Sequence, residues 1–260
     1  MVLSDIMQQL EDFCPASFAQ DWDNPGLQAG RRDLDVKTVF LAVDATSEVI
    51  DEAIAHGAQL ILTHHPLLFD GIKHVTDADF VGKRIVRILQ KDMALFAMHT
   101  NFDVMAMGSE AAEKLGLIDS DVLEVTYEDS ISHEGFGRIG ELPEHESLQD
   151  LAEEVKEVFD IPHVRFYGDP DQQIVMAAVM PGAGKGEMDL AASKGADVLI
   201  TGDINHHAGI DAVEKGIAVI DAGHYGIEKL FVPYMKEYIE REMPELKVVC
   251  ARVHEPFHEV

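Results

Sequence analysis

The amino-acid sequence predicts an α/β protein built from two related, internally duplicated α/β lobes with a short central insertion, and three observations carry that prediction. Over the first hundred residues, short apolar runs alternate with amphipathic stretches of helical period, the pattern of a mostly parallel sheet. The run His56-Gly57-Ala58-Gln59-Leu60-Ile61-Leu62-Thr63 has a counterpart in Lys194-Gly195-Ala196-Asp197-Val198-Leu199-Ile200-Thr201, each preceded by a helix and an apolar strand. Between the two copies the alternation breaks down around a glycine-punctuated segment. The expected organisation is a first lobe over 1–123, a small inserted unit over 124–172 and a second lobe over 173–260.

Ser4 to Phe13 places Ile6, Met7, Leu10 and Phe13 on one stripe, an amphipathic helix with Ser4 as its cap that Cys14-Pro15 closes. Trp22-Asp23-Asn24-Pro25-Gly26-Leu27-Gln28 is rich in turn formers and reads either as a loop pinned by a buried indole or as a ligand contact. Val36 to Val43 is strand-like. Thr46 or Ser47 then caps a helix running to His56, with Gly57 as its stop. Leu60 to Thr63 is a buried strand that ends in His64-His65, because Pro66 forbids its continuation. Asp79 to Gln90 repeats at helical period through Phe80, Val81, Ile85, Ile88 and Leu89, and the strand Met93 to Met98 runs straight into His99-Thr100-Asn101-Phe102-Asp103.

In the middle, Val122 to Tyr127 is a strand, and Leu148 to Phe159 is an amphipathic helix begun by Ser147. Val164 to Tyr167 is a short strand. Gly135-Phe136-Gly137-Arg138-Ile139-Gly140 lacks the lysine and the spacing of a phosphate-binding loop, so close backbone packing is the preferred reading of its glycines. The second copy then repeats the order of the first. Thr201-Gly202-Asp203 and His206-His207 are followed by a helix through Val213 and a strand from Ile217 to Ile220. His224 comes next, with Glu228 four residues on, as Asp103 follows His99.

Composition narrows the function. The 260 residues are 47% hydrophobic, ample for a core, and no apolar run approaches the roughly eighteen residues a bilayer span requires. A formal charge of −28 repels phosphate backbones and disfavours a nucleic-acid partner; it also fits a protein kept soluble in high salt. Two cysteines without metal or redox spacing, and no secretory signal, point to the reducing cytoplasm.

Two adjacent histidines at the carboxyl end of a strand occupy the place where open α/β sheets bind ligands. Neighbouring strand residues point to opposite faces, so His64 and His65 suit two ions side by side better than one. The alternative is a polar strand end with hydrated rings. His224 and Glu228, one helical turn apart at the start of a helix reaching Phe231, Met235, Tyr238 and Ile239, share a face as paired ligands do in zinc proteases. Taken alone, that pair reads equally as an ordinary surface contact.

Together, His64-His65-Pro66, His99-Thr100-Asn101-Phe102-Asp103, Thr201-Gly202-Asp203 with His206-His207, and Gly223-His224-x-x-x-Glu228 resemble the motifs of the Nif-three-like (Ngg-one-interacting factor three) family, whose members carry the description GTP cyclohydrolase I type 2 homologue. The Trp22 to Gln28 segment and Gly135-x-Gly137-Arg138-x-Gly140 fit the same family, and the resemblance covers nearly the whole chain in order. It implies two related sheets in a toroidal homohexamer with a dinuclear metal site facing the interior. His64, His65, Asp103, His224 and Glu228 would be the metal ligands. His99, beside them, would orient a ligand, hold a substrate or shuttle a proton, with His206 and His207 lining the cavity. Asp203 stands where many relatives have glutamate, which keeps the carboxylate and shortens its reach.

Imidazole and carboxylate without thiolate suit Zn, Mn, Fe, Co or Ni. Two such ions about 3.5 to 4 Å apart share a bridging carboxylate, Glu228 or Asp103, and provide hydroxide at neutral pH. The expected activity is therefore metal-dependent hydrolysis of a small nucleotide-like or heterocyclic substrate through a metal-bound hydroxide, with His99 as general acid or base. The contrasting expectation is a non-catalytic metal scaffold for delivery, storage or partner recruitment. Asp44 either orients a ligand histidine or, the preferred reading, serves the helix-capping turn.

Overall fold

The computed structural model describes residues 1–252, so the last eight residues of the expected second lobe, 253–260, lie outside the described residues. In chain order the elements begin with α1 (Leu3–Phe13), β1 (Gly26–Ala29), β2 (Thr38–Ala42), α2 (Ser47–Ala55), β3 (Leu60–Thr63), α3 (Phe80–Gln90), β4 (Ala94–Ala97) and α4 (Thr100–Phe102). A π-helical segment (Asp103–Met107) leads into α5 (Gly108–Lys114), β5 (Ile118–Glu128), β6 (His133–Ser147), α6 (Leu148–Val158), β7 (Arg165–Tyr167), β8 (Gln173–Val179) and α7 (Met188–Ser193). Then come β9 (Val198–Thr201), α8 (His206–Lys215), β10 (Ala218–Asp221), α9 (His224–Glu228), α10 (Phe231–Glu242) and β11 (Lys247–Cys250).

These elements fall into two compact units, Met1–Phe102 with Phe231–Val260, and Asp103–Leu230. The first unit holds a sheet ordered β1-β4-β3-β2-β11, in which β4, β3, β2 and β11 run parallel and β1 is antiparallel on the edge. Its β2, β3 and β4 residues are buried throughout, as strands covered on both faces must be. Phe40, Ile50, Ile61, Ile85, Ile88 and Leu95 form one core cluster, each side chain contributing about 1.5–3 kcal/mol by leaving water. A second apolar contact stacks Phe13 of α1 on Tyr238 of α10, ring centroids 4.5 Å apart.

The second unit holds a sheet ordered β5-β6-β8-β9-β10-β7. Its β8, β9 and β10 are parallel, β7 is antiparallel to β10, and the long β5–β6 hairpin is antiparallel to β8. Residues 124–172, expected as an insertion, lie within this unit, where β6 pairs with β8 and β7 with β10.

The repeat is visible in each unit's own topology. The order β7-β10-β9-β8 reproduces β1-β4-β3-β2, including the antiparallel edge strand, and α6 precedes β7 as α1 precedes β1. The match extends to side chains: Gln59 Oε1 accepts from the amides of Lys37 and Thr38, and Asp197 Oδ2 accepts from those of Val175 and Met176, so each pins the start of the neighbouring strand. The second copy therefore begins at α6, some way before its recognisable sequence echo.

Four helix starts follow their capping residues. Thr46, Asp79, Ser147 and Asn205 accept from amides three residues on and cap α2, α3, α6 and α8. Ser4, expected to cap α1, lies inside it. The first helical amides, of Leu3 and Ser4, instead donate to the carbonyls of Leu34 and Arg32 at 2.8 and 2.9 Å, and a bridge from Val2 to Asp35 fixes the entering chain. Gly135 to Gly140 runs within β6, its glycines allowing the β5 backbone to pass close by, as the preferred reading has it. Among the described residues no helix is long and apolar enough to cross a membrane.

Candidate metal centre

In the first unit, β3 ends at Thr63, and the amides of His64 and His65 still donate to Ala42 O and Val43 O of the adjoining chain. Both imidazoles thus stand at the strand's carboxyl end. The strict alternation of a strand no longer separates them, because regular pairing has ended; their ring centroids are 4.9 Å apart. β4 ends just alongside and delivers His99, whose ring is 5.3 Å from that of His64 and 5.4 Å from that of His65. One donor atom from each of His64, His65 and His99 lies within 4.8 Å of the others.

Each of the three rings donates its Nδ1–H to an oxygen. His64 donates to Met98 O, His65 to Asp44 Oδ1 and His99 to Asp23 Oδ1, all at 2.8 Å. An imidazole held this way has the Nε2 lone pair available and its ring plane fixed, which is how proteins prepare histidine for a cation or a proton. Asp44 therefore orients a histidine, and Thr46 alone does the capping assigned to that turn. His64 is fully buried against Phe102 and Phe231, so its orientation is also set by packing.

Asp23, to which the sequence assigns no role, anchors this cluster. Its side chain is closed to solvent and accepts from His99, from the Thr100 amide at 3.0 Å and from Thr100 Oγ1 at 2.5 Å. Burial raises the carboxyl's pKa, and the His99 and Thr100 hydrogen bonds more than offset this, holding it at about 2 against an ordinary 3.8. Asp23 is therefore a fixed negative charge at neutral pH. Its neighbour Trp22 is 62% exposed, which overturns the reading of a loop pinned by a buried indole. Asp23, two hydrogen-bond acceptors deep in the same loop, does the pinning.

In the second unit, β10 ends at Asp221 and Gly223, at φ +76, turns the chain into α9. The four-residue spacing puts His224 Nε2 3.1 Å from Glu228 Oε2, on one face of the helix. His224 Nδ1–H donates to Asp203 Oδ2 at 2.8 Å, so the shorter aspartate does reach it. Two glycines make the arrangement possible. A Cβ at Gly182, φ +74, would stand 2.5 Å from Glu228 Oε1, and one at Gly202 would stand 2.5 Å from His224 N. Gly182 was not singled out from the sequence; a Pro-Gly-Ala-Gly run after a strand carries no chemical signal of its own.

The donor set fits a divalent cation. Ligand bonds of about 2.0–2.2 Å at octahedral to tetrahedral angles place neighbouring donors about 2.9–3.5 Å apart, the range in which His224 and Glu228 stand. Glu228 is only 3% exposed, and a carboxylate so buried needs a compensating positive charge. Asp103 opens the π-helical segment of the same unit, a helical irregularity frequent at functional sites. His206 and His207 open α8 as exposed residues with ring centroids 5.4 Å apart.

The comparisons with known proteins follow the same lines. A family described as Duf34/NIF3 (NGG1p interacting factor 3) matches residues 1–256. A Clostridium acetobutylicum protein named GTP cyclohydrolase 1 type 2 homolog is 36% identical over 248 residues, covering 95% of this chain and 92% of its own. Among solved structures, Staphylococcus aureus protein SA1388 superposes with a TM-score of 0.90 at 30% identity, and a Bacillus cereus protein related to NIF3 with 0.91 at 25%. Each match covers 100% of this chain and 99% of the other.

Proposed function

Because the chain belongs to the Duf34/NIF3 family, we propose that it is a metal-dependent hydrolase of a small nucleotide-like or heterocyclic substrate, holding two divalent cations per chain through His64, His65, Asp103, His224 and Glu228. The observation that carries this reading is the shared preparation of the histidines: His64, His65, His99 and His224 each donate Nδ1–H to an oxygen, which fixes the ring plane and makes Nε2 the ligating nitrogen. Zn, Mn, Fe, Co or Ni held by such donors supplies Lewis acidity and water acidified toward neutrality.

The protein's own groups do the rest. Asp44 and Asp203 fix the planes of His65 and His224 and raise their basicity. His99 accepts or returns a proton at Nε2 while Asp23 stabilises the imidazolium that forms, the division of labour of a histidine–carboxylate dyad. The relatives' name, GTP cyclohydrolase 1 type 2 homolog, supports a heterocyclic substrate. Assembly as a toroidal homohexamer in the cytoplasm completes the proposal.

Elemental analysis of the purified protein beside Glu228→Gln and His64→Ala tests it. About two equivalents of metal in the parent and few in the variants are expected. Hydrolysis of nucleotide and heterocyclic substrates should follow metal content; turnover unchanged in the metal-poor variants would reject the mechanism. Full metal loading without turnover of any substrate would favour the scaffold instead.

A further inference from the structure

The loop that carries Asp23 holds more than Asp23. Trp22 is 62% exposed and Phe69, from the loop after β3, is 50% exposed. Both rings contact His99 at near-perpendicular angles, with centroids 5.9 and 5.5 Å from it. His99 itself is 8% exposed, so two large aromatic surfaces stand in solvent beside a nearly buried ring. The two loops are also locked to each other. Asn24 Nδ2 donates to Leu68 O at 2.7 Å, Leu68 N donates to Gln28 Oε1 at 3.1 Å, and Gln28 Nε2 returns to Asn24 O at 2.6 Å. Trp22 adjoins the residue that anchors His99, and Phe69 adjoins the residue the two amides grip. Nothing in folding alone calls for ordering two exposed aromatics this way, since each forgoes the burial that normally stabilises such a side chain.

We propose that Trp22 and Phe69 are the walls of an aromatic slot, their segments tied together through Asn24 and Gln28, that takes a flat heteroaromatic ring and presents its edge to His99. This deepens the hydrolase reading and rests on it for the chemistry, though the slot lies wholly in the first unit and needs no cation. Stacking on aromatic side chains suits any flat base, because every base has a π face. Asp21 and Asp70, exposed beside the two walls, repel a phosphate, so the ring is the part recognised.

Trp22 is the single tryptophan of the chain, so its emission reports the slot directly. Guanosine titrated into chelator-stripped protein should quench that emission saturably, and ribose should not. Phe69→Ala should weaken guanosine binding about tenfold or more. By calorimetry, Trp22→Phe should keep binding within a few-fold and Trp22→Ala should lose about as much as Phe69→Ala. Both walls are exposed, so far-UV circular dichroism should be unchanged in every variant. Absence of saturable quenching, or quenching that Phe69→Ala leaves intact, would overturn the slot. If the protein binds no metal yet the quenching persists, the hydrolase reading falls and the slot stands; normal metal loading without quenching removes the slot alone.

Discussion

Replacing Asp23 by asparagine removes one charge from a buried position and keeps the shape, and the structure sets the size of the effect. The carboxylate accepts three hydrogen bonds, from His99 and twice from Thr100, and its pKa is lowered from 3.8 to about 2. At roughly 1.4 kcal/mol for each pKa unit, that depression corresponds to about 2 kcal/mol favouring the native state. Asparagine also turns an amide N–H₂ toward either Thr100 or His99, stranding a buried donor at a further cost of about 1–3 kcal/mol. At neutral pH Asp23→Asn should therefore unfold about 3–5 kcal/mol more easily in guanidinium titrations. A carboxyl with a depressed native pKa stabilises the fold above its unfolded value, near 3.8, and gives that contribution up as pH falls toward about 2. The gap between parent and variant should thus narrow by about 2 kcal/mol between about pH 5 and about pH 2. A gap below about 1 kcal/mol at neutral pH, or one that stays constant into acid, would refute the assignment of Asp23 as a buried, charged anchor.

Other consequences follow from the same geometry. Gly182→Ala forces a left-handed backbone and pushes Glu228 aside; a stability loss of about 1–2 kcal/mol and metal affinity lower by about 10–100-fold are expected, measured by thermal unfolding and by equilibrium dialysis with zinc. Unchanged zinc affinity would detach Glu228 from the site. Asp44→Asn and Asp203→Asn should each lower zinc affinity about 10–100-fold while circular dichroism stays as in the parent, since they orient ligands without belonging to a core. Phe40→Ala empties a fully buried position in β2 and should cost about 3–5 kcal/mol in guanidinium unfolding; a loss under about 1 kcal/mol would contradict the packing of the first sheet.

Local spacing was enough to read most elements. Pro15, Pro66, Gly57 and the capping residues Thr46 and Ser147 mark ends that are decided within a few residues, and the structure puts them where those signals point. Ser4 misled because the helix already begins at Leu3, where the amides of Leu3 and Ser4 donate to Leu34 and Arg32, residues about thirty positions away that no window along the chain can weigh. Trp22 misled for the opposite reason: bulk and apolarity argue for burial, and only the neighbouring loop shows that the indole faces water.

The sequence by itself determined the α/β class, the duplication and the adjacency of His224 to Glu228, because backbone periodicity, chain order and helix pitch are local properties that spacing encodes. Only the tertiary structure decided which oxygen each histidine donates to. Asp23 lies 76 residues from His99, and Asp44 and Asp203 each lie 21 from their partners, separations at which a contact depends on how strands and loops pack together and leaves no periodic trace. Likewise, the sequence could name Trp22 and Phe69 but not bring them to the same imidazole; the two hydrogen bonds that tie Leu68 to Asn24 and Gln28 did that.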